Sequence, residues 1–346
     1  MIKYSLIAAL LLLSPHPGTL AQSTEKNITR IAFGSCSRQD DPDQMWNDVM
    51  KLKPALWIWA GDNIYGDTHD MELLKKKYDQ QKAHSQYQEL LATCPVTGTW
   101  DDHDYGTNDG GKYFTKKNES KKLMLEFLGI PVQDPVWRHD GIYTTYSLGT
   151  KNRKVKIINL DTRSFRDTIT RHYYVDSASK QRMYRNVPNL QGDVLGETQW
   201  AWLENELKTS DAKVNIINSS IQVLSEEHRF EKWGNFPSAR KRLLQLIATS
   251  KIKGIVIIIS GDRHIAEISK IELPNLPYPL IDFTSSGLTH TWDQYWQESN
   301  RYRQGDLIVQ KNFGIIEIAW GNKNPLIKFQ VRGKSDKIYL EKEIQY

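Results

Sequence analysis

Three short apolar stretches each run straight into acidic residues, and this repeated junction most limits the folds open to the chain. Ala55-Leu56-Trp57-Ile58-Trp59-Ala60 leads into Gly61-Asp62-Asn63-Ile64-Tyr65. Cys94-Pro95-Val96-Thr97-Gly98-Thr99 leads into Trp100-Asp101-Asp102-His103-Asp104, and Ile255-Val256-Ile257-Ile258-Ile259-Ser260 into Gly261-Asp262-Arg263-His264. Apolar runs of this length bounded by glycine read as buried strands. Open sheets present their ligand-binding groups at strand ends, and carboxylates gathered there repel one another unless cations neutralise them. The pattern points to a metal-dependent enzyme.

The first residues read as a targeting segment rather than as part of the fold. Lys3 supplies a positive start, Leu6 to Leu13 is an unbroken apolar core, and Thr19-Leu20-Ala21 offers a small-residue cleavage site. This is the pattern of a secretory signal and is too short to span a bilayer. Residues 1–21 are therefore expected to be a signal peptide and 22–346 a single exported catalytic domain, periplasmic or extracellular, with no transmembrane segment. Removing Lys3 leaves 45 of the 46 basic residues against 41 acidic ones, a net charge of +4. That surplus favours anionic substrates by steering and is too small and too evenly spread to mark a nucleic-acid-binding surface.

Strands are expected at Ile28–Phe33, Ala55–Ala60, Val96–Trp100, Lys213–Asn218 and Gly254–Ser260, with an antiparallel pair at Ile142–Leu148 and Lys154–Leu160. Helices are expected near Asp43–Leu52, Met71–Leu91, Ser120–Leu128, Glu197–Leu207 and Ala239–Ile247. The last third is strand-rich, with Ile265–Glu272, Leu280–Thr284, Phe313–Trp320, Leu326–Val331 and Ile338–Glu343. Alternating strand–helix units followed by such a tail suit an α/β sandwich of two mixed sheets packed face to face with helices outside, four layers in the order α-β-β-α. Phe165–Asn189 and Leu288–Asp306 read as long loops of the kind that carry function.

A two-metal hydrolase holds its cations roughly 3.5–4 Å apart, usually through a shared carboxylate. Asp62, lone and at a strand end, suits that bridge, and Tyr65 follows closely enough to reach the same ion. In the acidic cluster, Asp102 fits a metal ligand. His103 fits a proton donor oriented by Asp104, since histidine titrates in the useful range. Asn108 offers a carbonyl oxygen to a hard cation. Asp262 and His264, at i and i+2, share a face of an extended segment. Gln222 follows a strand and has two readings, a buried hydrogen-bonding residue or a ligand. Cys36 and Cys94 are equally open to a disulfide or to Cys36 serving as a thiolate ligand.

The ordered segments Gly34-Ser35-Cys36, Gly61-Asp62-x-x-Tyr65, Trp100-Asp101-Asp102-His103-Asp104, Ser220-x-Gln222 and Gly261-Asp262-x-His264 together resemble the PhoD-type alkaline phosphatases and phosphodiesterases. These are relatives of the purple acid phosphatases within the metallophosphatase superfamily. Asp161-Thr162-Arg163 and Ser285-Ser286-Gly287-Leu288-Thr289-His290 also look like that family. The resemblance runs from about Ile31 past Thr284. It implies Fe(III) held by Cys36, Asp62, Tyr65 and His264, and Ca²⁺ held by Asp62, Asn108, Gln222 and Asp262 with Asp102 in or beside the calcium shell. Zinc or manganese are the alternative occupants of such a dinuclear site.

It implies hydrolysis of phosphate monoesters, diesters or both by a metal-activated hydroxide, with His103 serving the leaving group and Arg163, Arg38 or His290 gripping phosphate. The substrate would be a small-molecule or lipid phosphate ester. Two alternatives remain at this stage: a phospholipase C/D-like diesterase on lipid or cell-wall phosphodiesters, and a catalytically silent metal-binding relative. The resemblance also implies a free thiolate at Cys36. Titration of the denatured, metal-stripped protein is expected to count two free thiols, and a count of zero would restore the disulfide.

Overall fold

The computed structural model describes residues 28–150, 152–177, 179–292, 298–321 and 324–346. The expected signal segment, 1–21, lies outside them. The strands with continuous apolar sequence became the centres of two sheets. β1 (Arg30–Gly34), β2 (Leu56–Ala60) and β3 (Val96–Thr99) run parallel to one another. β12 (Phe313–Ala319), β13 (Leu326–Arg332) and β14 (Ile338–Gln345) extend that sheet antiparallel from β1, in the order β14-β13-β12-β1-β2-β3.

The second sheet is centred on β5 (Val155–Asn159), β8 (Val214–Asn218), β9 (Ile255–Ser260) and β11 (Leu280–Ser285), all parallel. β4 (Thr144–Leu148) and β10 (Ala266–Ile271) close its edges antiparallel, giving the order β10-β11-β9-β8-β5-β4.

Each central strand buries both faces, so alternate residues feed two different cores. On β2, Leu56, Ile58 and Ala60 point into the layer between the sheets, while Trp57 and Trp59 point out. There they meet Trp46 of α1 (Trp46–Lys51) edge-on at 5.0 and 5.3 Å. The same outer layer includes residues of α2 (Met71–Ala83), α3 (Ser85–Thr93) and α5 (Lys117–Phe127). On β9, Ile255, Ile257 and Ile259 enter the inter-sheet core, while Val256 and Ile258 face α6 (Gly196–Lys208) and α7 (Pro237–Thr249). The result is the expected four-layer α-β-β-α sandwich.

Two expectations required correction. The single helix expected over Met71–Leu91 is broken: His84 takes an extended backbone (φ −61°, ψ 121°) between α2 and α3, without a proline or glycine to announce it. The stretch Phe165–Asn189 is not all loop. It contains a separate two-stranded hairpin, β6 (Thr170–Val175) with β7 (Arg182–Val187), exposed along most of its length. With no buried face, it carries no alternation of apolar and polar residues to read.

Near the strand ends that carry the acidic motifs, buried polar side chains stitch the sheets together. Asn218 Nδ2 donates to the Trp59 carbonyl at 2.8 Å and to Asn159 Oδ1 at 3.0 Å, and Asn159 Nδ2 donates to Thr97 Oγ1 at 3.0 Å. Thr99 Oγ1 donates to the Leu160 carbonyl at 2.6 Å. Leaving such groups unpaired in a dry interior costs about 1–3 kcal/mol. Asn218→Leu is therefore expected to lower unfolding free energy by about that amount, read as a drop in urea midpoint at unchanged slope; an unchanged midpoint would show that the seam holds nothing.

Candidate metal centre

The C-terminal ends of β1, β2, β3 and β9 converge so closely that two positions require glycine. Gly61 sits at φ +90°, and a Cβ there would lie 2.5 Å from Asp101 Cβ. A Cβ on Gly261 would meet Ser35 Oγ at 2.3 Å and the Ala60 carbonyl at 2.5 Å. The residues just beyond the strand ends turn sharply: Cys36, Asp62, Asp262 and His264 all adopt left-handed backbone, with φ of 59°, 50°, 65° and 55°. Such conformations are uncommon outside glycine and gather where function demands them. Here they swing four side chains toward one another.

Ligand atoms of Cys36, Asp62 and His264 lie within 4.8 Å of each other, as do those of Asp62, Asp101, Asp102 and Asp262 and those of Asp62, Asp102 and His103. Asp62 belongs to all three groups. Cys36 Sγ is 3.5 Å from Asp62 Oδ2, and Tyr65 Oη is 3.3 Å from His264 Nε2. Both cysteines are free and buried. Cys36, Asp62 and Asp102 form a buried floor, whereas Tyr65, His103, Asp262, His264 and His290 are half-buried above it.

Electrostatics follow from this crowding. Burial, reinforced by Asp62, pushes the Cys36 thiol well up. Burial also pushes the Asp62 carboxyl up, and Asp102, Asp101 and Asp104 add to it while His103 opposes. Asp102 is held below the ordinary range although burial works against it, because Arg163 and His103 stand close. Burial and the neighbouring His290 and Arg263 charges keep His264 neutral, the form that ligates.

The donor set fits a pair of unlike cations. Thiolate, phenolate and imidazole suit a transition metal, and carboxylate and amide oxygens suit Ca²⁺. One buried acceptor of the acidic group is orphaned as a cation site would leave it. Asp101 Oδ2 has no protein partner, its Oδ1 being taken by Arg163 and Ser220. Gln222 Oε1 also has none, while its Nε2 donates to Glu267 Oε1 at 2.7 Å and Thr284 Oγ1 at 2.8 Å.

Three sequence expectations are placed differently by the geometry. Asp104 does not touch the His103 ring: it is buried and accepts from the Asp101 backbone at 2.6 Å and from Asn63 Nδ2 at 2.6 Å, shaping the turn α4 (Asp102–Tyr105). The partner of His103 Nδ1 is Asp67, at 2.7 Å. The backbone N–H groups of Gly66 and Asp67 bond to the His103 carbonyl, so the two loops are laced together. Asp62, Asp102 and Asp67 together push His103 up to about 11 against the opposing effect of burial.

Arg163 is wholly buried rather than displayed on the open face. Its guanidinium spans Asp101 and Glu231 and also donates to the Gly110 carbonyl. Asn108 is exposed, and the neighbouring Asp109 is the residue that reaches the acidic cluster, its N–H donating to Asp102 Oδ2 at 2.6 Å.

Sequence reasoning overlooked Asp67, Asp109 and Glu231. Asp67 stands only two residues past Tyr65, so its position was visible, but nothing in a lone acid names its partner. Of the aromatic residues in the stretches Phe165–Asn189 and Leu288–Asp306, Trp292 is exposed, 5.5 Å from the His264 ring and stacked on Phe230 at 5.9 Å. Tyr302 instead pairs with Glu226 under Arg301 and Arg240, and Tyr173 lies on the hairpin. Tyr295 and Trp296 lie outside the described residues.

A PhoD-like phosphatase family model matches residues 68–312. A search of curated proteins returns no match. Among solved structures, the chain is similar to PhoD (17% identity, TM-score 0.71, 93% of this chain and 70% of that one). It is similar also to purple acid phosphatase PPD1 from yellow lupin, Lupinus luteus, seeds (12% identity, TM-score 0.60, 93% of this chain and 54% of that one). A dimetal phosphatase from Danio rerio aligns with 12% identity and a TM-score of 0.52, over 93% of this chain and 100% of the other. With the family model spanning most of the chain, this protein belongs to the PhoD-like phosphatases and is a metal-dependent phosphoric ester hydrolase.

Proposed function

We propose that the protein is an exported phosphoesterase, acting on phosphate monoesters and diesters with iron and calcium at the centre. The observation that carries this reading is the shared membership of Asp62 in one donor group with Cys36 and His264 and in another with Asp101, Asp102 and Asp262. Cys36, Asp62, Tyr65 and His264 would hold the iron. Asp62, Asp102, Asp262 and Gln222 would hold the calcium, and the exposed Asn108 is a weaker candidate there than its neighbour Asp109. Bound cations supply charge neutralisation for the phosphate and a water acidified toward neutral pH.

The chain's own groups supply the rest. His103, with Nδ1 on Asp67, presents Nε2 as the atom that hands a proton to the departing oxygen. Asp62 and Asp102 would be engaged by bound cations, which would leave Asp67 as the acid that holds the imidazolium. Arg163 acts through Asp101 and Glu231, holding those carboxylates in place by ion pairs, and so is a positioning residue. Half-buried His290 and exposed Arg38, whose guanidinium carbon lies 5.7 Å from the Tyr65 ring centroid, are the groups that would grip an incoming phosphate. The exposed Trp292 beside His264 leaves an organic surface for a second ester group, which favours diester turnover. Export rests on the apolar stretch Leu6 to Leu13; no helix among the described residues is long and apolar enough to cross a membrane.

Elemental analysis with kinetics on p-nitrophenyl phosphate and bis-p-nitrophenyl phosphate tests this reading. Asp62→Asn is expected to lose both metal content and turnover, and full activity in that variant would remove the bridge. His103→Ala should keep its metals and lose roughly 10²–10⁴-fold in kcat. Asp67→Asn should fall on the same substrates with metals retained, whereas Asp104→Asn should lower thermal stability; the reverse pattern would return the orienting role to Asp104.

A further inference from the structure

The hairpin β6–β7 concentrates charge that the whole-chain balance conceals. Between Thr170 and Val187 stand Arg171, Lys180, Arg182 and Arg185 against a single acid, Asp176. Pairing Arg171 with Asn186, Tyr173 with Tyr184 and Val175 with Arg182 puts these six on one face of the ribbon. On that face two arginines lie diagonally across two tyrosines. The Arg171 guanidinium sits 4.7 Å from the Tyr184 ring centroid and that of Arg182 sits 4.6 Å from Tyr173. Tyr173 and Val175 stay 49% and 67% exposed. Folding gains little from such a ribbon, since an isolated two-stranded hairpin is marginal by itself, and exposed apolar surface beside a charged strip marks a contact surface.

The strip is joined to the metal centre. Arg171 ion-pairs with Asp109, whose N–H bonds to Asp102 Oδ2 at 2.6 Å. Arg171 and Tyr173 also line a cleft of about 320 Å³ with Asp109, Tyr113, Arg166 and Ile169. From the other side, Arg229 lies 5.6 Å from the Tyr184 ring and 5.0 Å from Phe230, which stacks on Trp292 beside His264.

We infer that this face of the hairpin is a subsite for a further phosphate of the same substrate, so that the preferred substrate is a phosphodiester chain rather than an isolated ester. This rests on the phosphoesterase reading above. Arg171 is held between the Tyr184 ring and Asp109, and the Arg182 guanidinium over the Tyr173 ring offers its N–H groups to phosphate oxygens. On this reading the tyrosines serve to hold the arginines in place. The strip reads backbone charge and ignores what hangs from it.

The test measures kcat/KM for a p-nitrophenyl-terminated abasic deoxyribose-phosphate hexamer and for the matching thymidine hexamer, each divided by that for bis-p-nitrophenyl phosphate. Binding of a fluorescein-labelled phosphorothioate hexamer to the metal-loaded protein is followed by anisotropy at several salt concentrations. Arg182→Glu on the tyrosine face is expected to lower both ratios at least about tenfold, as for loss of one charge-assisted contact, and to flatten the salt slope by about 0.7 or more. Arg185→Glu, the same charge reversal on the opposite face, should lower them less. Equal losses in the two variants, or none, would overturn the subsite, and a preference for the thymidine hexamer over the abasic one would replace backbone reading with base stacking. If no ester is turned over, the phosphoesterase reading fails; loss of hexamer binding confined to Arg182→Glu would still stand for the strip.

Discussion

Crowding of like charge governs this molecule. Four carboxylates, those of Asp62, Asp101, Asp102 and Asp262, bring ligand atoms within 4.8 Å of one another, the first three buried and Asp262 half-buried above them. In low dielectric, acids so placed resist ionising together, and burial accordingly pushes Asp101 up to about 7 despite the Arg163 guanidinium on it. One flank is compensated from within: Arg163 and Arg166 meet Asp101 and Glu231 in a fully buried ionic cluster. The other flank, where Cys36, Tyr65 and His264 gather, is the one that the proposed function gives to a metal.

Holding repelling groups in place takes a stiff frame, and the features around the centre supply it. Left-handed turns at four donor residues store strain that only a tightly specified surrounding tolerates. That surrounding is two sheets buried on both faces, zipped near their ends by Asn218, Asn159, Thr97 and Thr99. The Asn218 and Asn159 amides and the Thr99 hydroxyl donate across this seam to side-chain oxygens or backbone carbonyls, while Asn218 Oδ1 is left without a partner. The frame therefore fixes the inter-sheet register at the place where a small slip would scatter the donors.

Reading the chain in one dimension worked where local pattern and tertiary role coincide. Strands β2 and β9 were legible because burial on both faces demands unbroken apolar sequence, and the acids that end them were conspicuous for breaking it. It failed where partners come from afar. Asp104 is beside His103 in sequence, but a tight helical turn carries it inward to Asn63, and Asp67, 36 residues earlier, takes the ring. Arg163 looked like a phosphate grip because nothing local shows that it is buried. The hairpin and the break at His84 left no signature, since neither is marked by burial periodicity, proline or glycine.

What the amino-acid order alone determined is the set of chemical groups and the strand ends that bear them: thiol, phenol, imidazoles and carboxylates in the ordered motifs, on a layered α/β scaffold. Hydrophobic periodicity and glycine placement are local properties, and they suffice for that. Only the tertiary structure decided which of those groups meet, which acid serves His103, that Arg163 faces inward, and that scattered arginines line one side of a ribbon. Those outcomes depend on distances between residues far apart in the chain, and such distances exist only after two sheets have packed and their strand ends have turned toward each other.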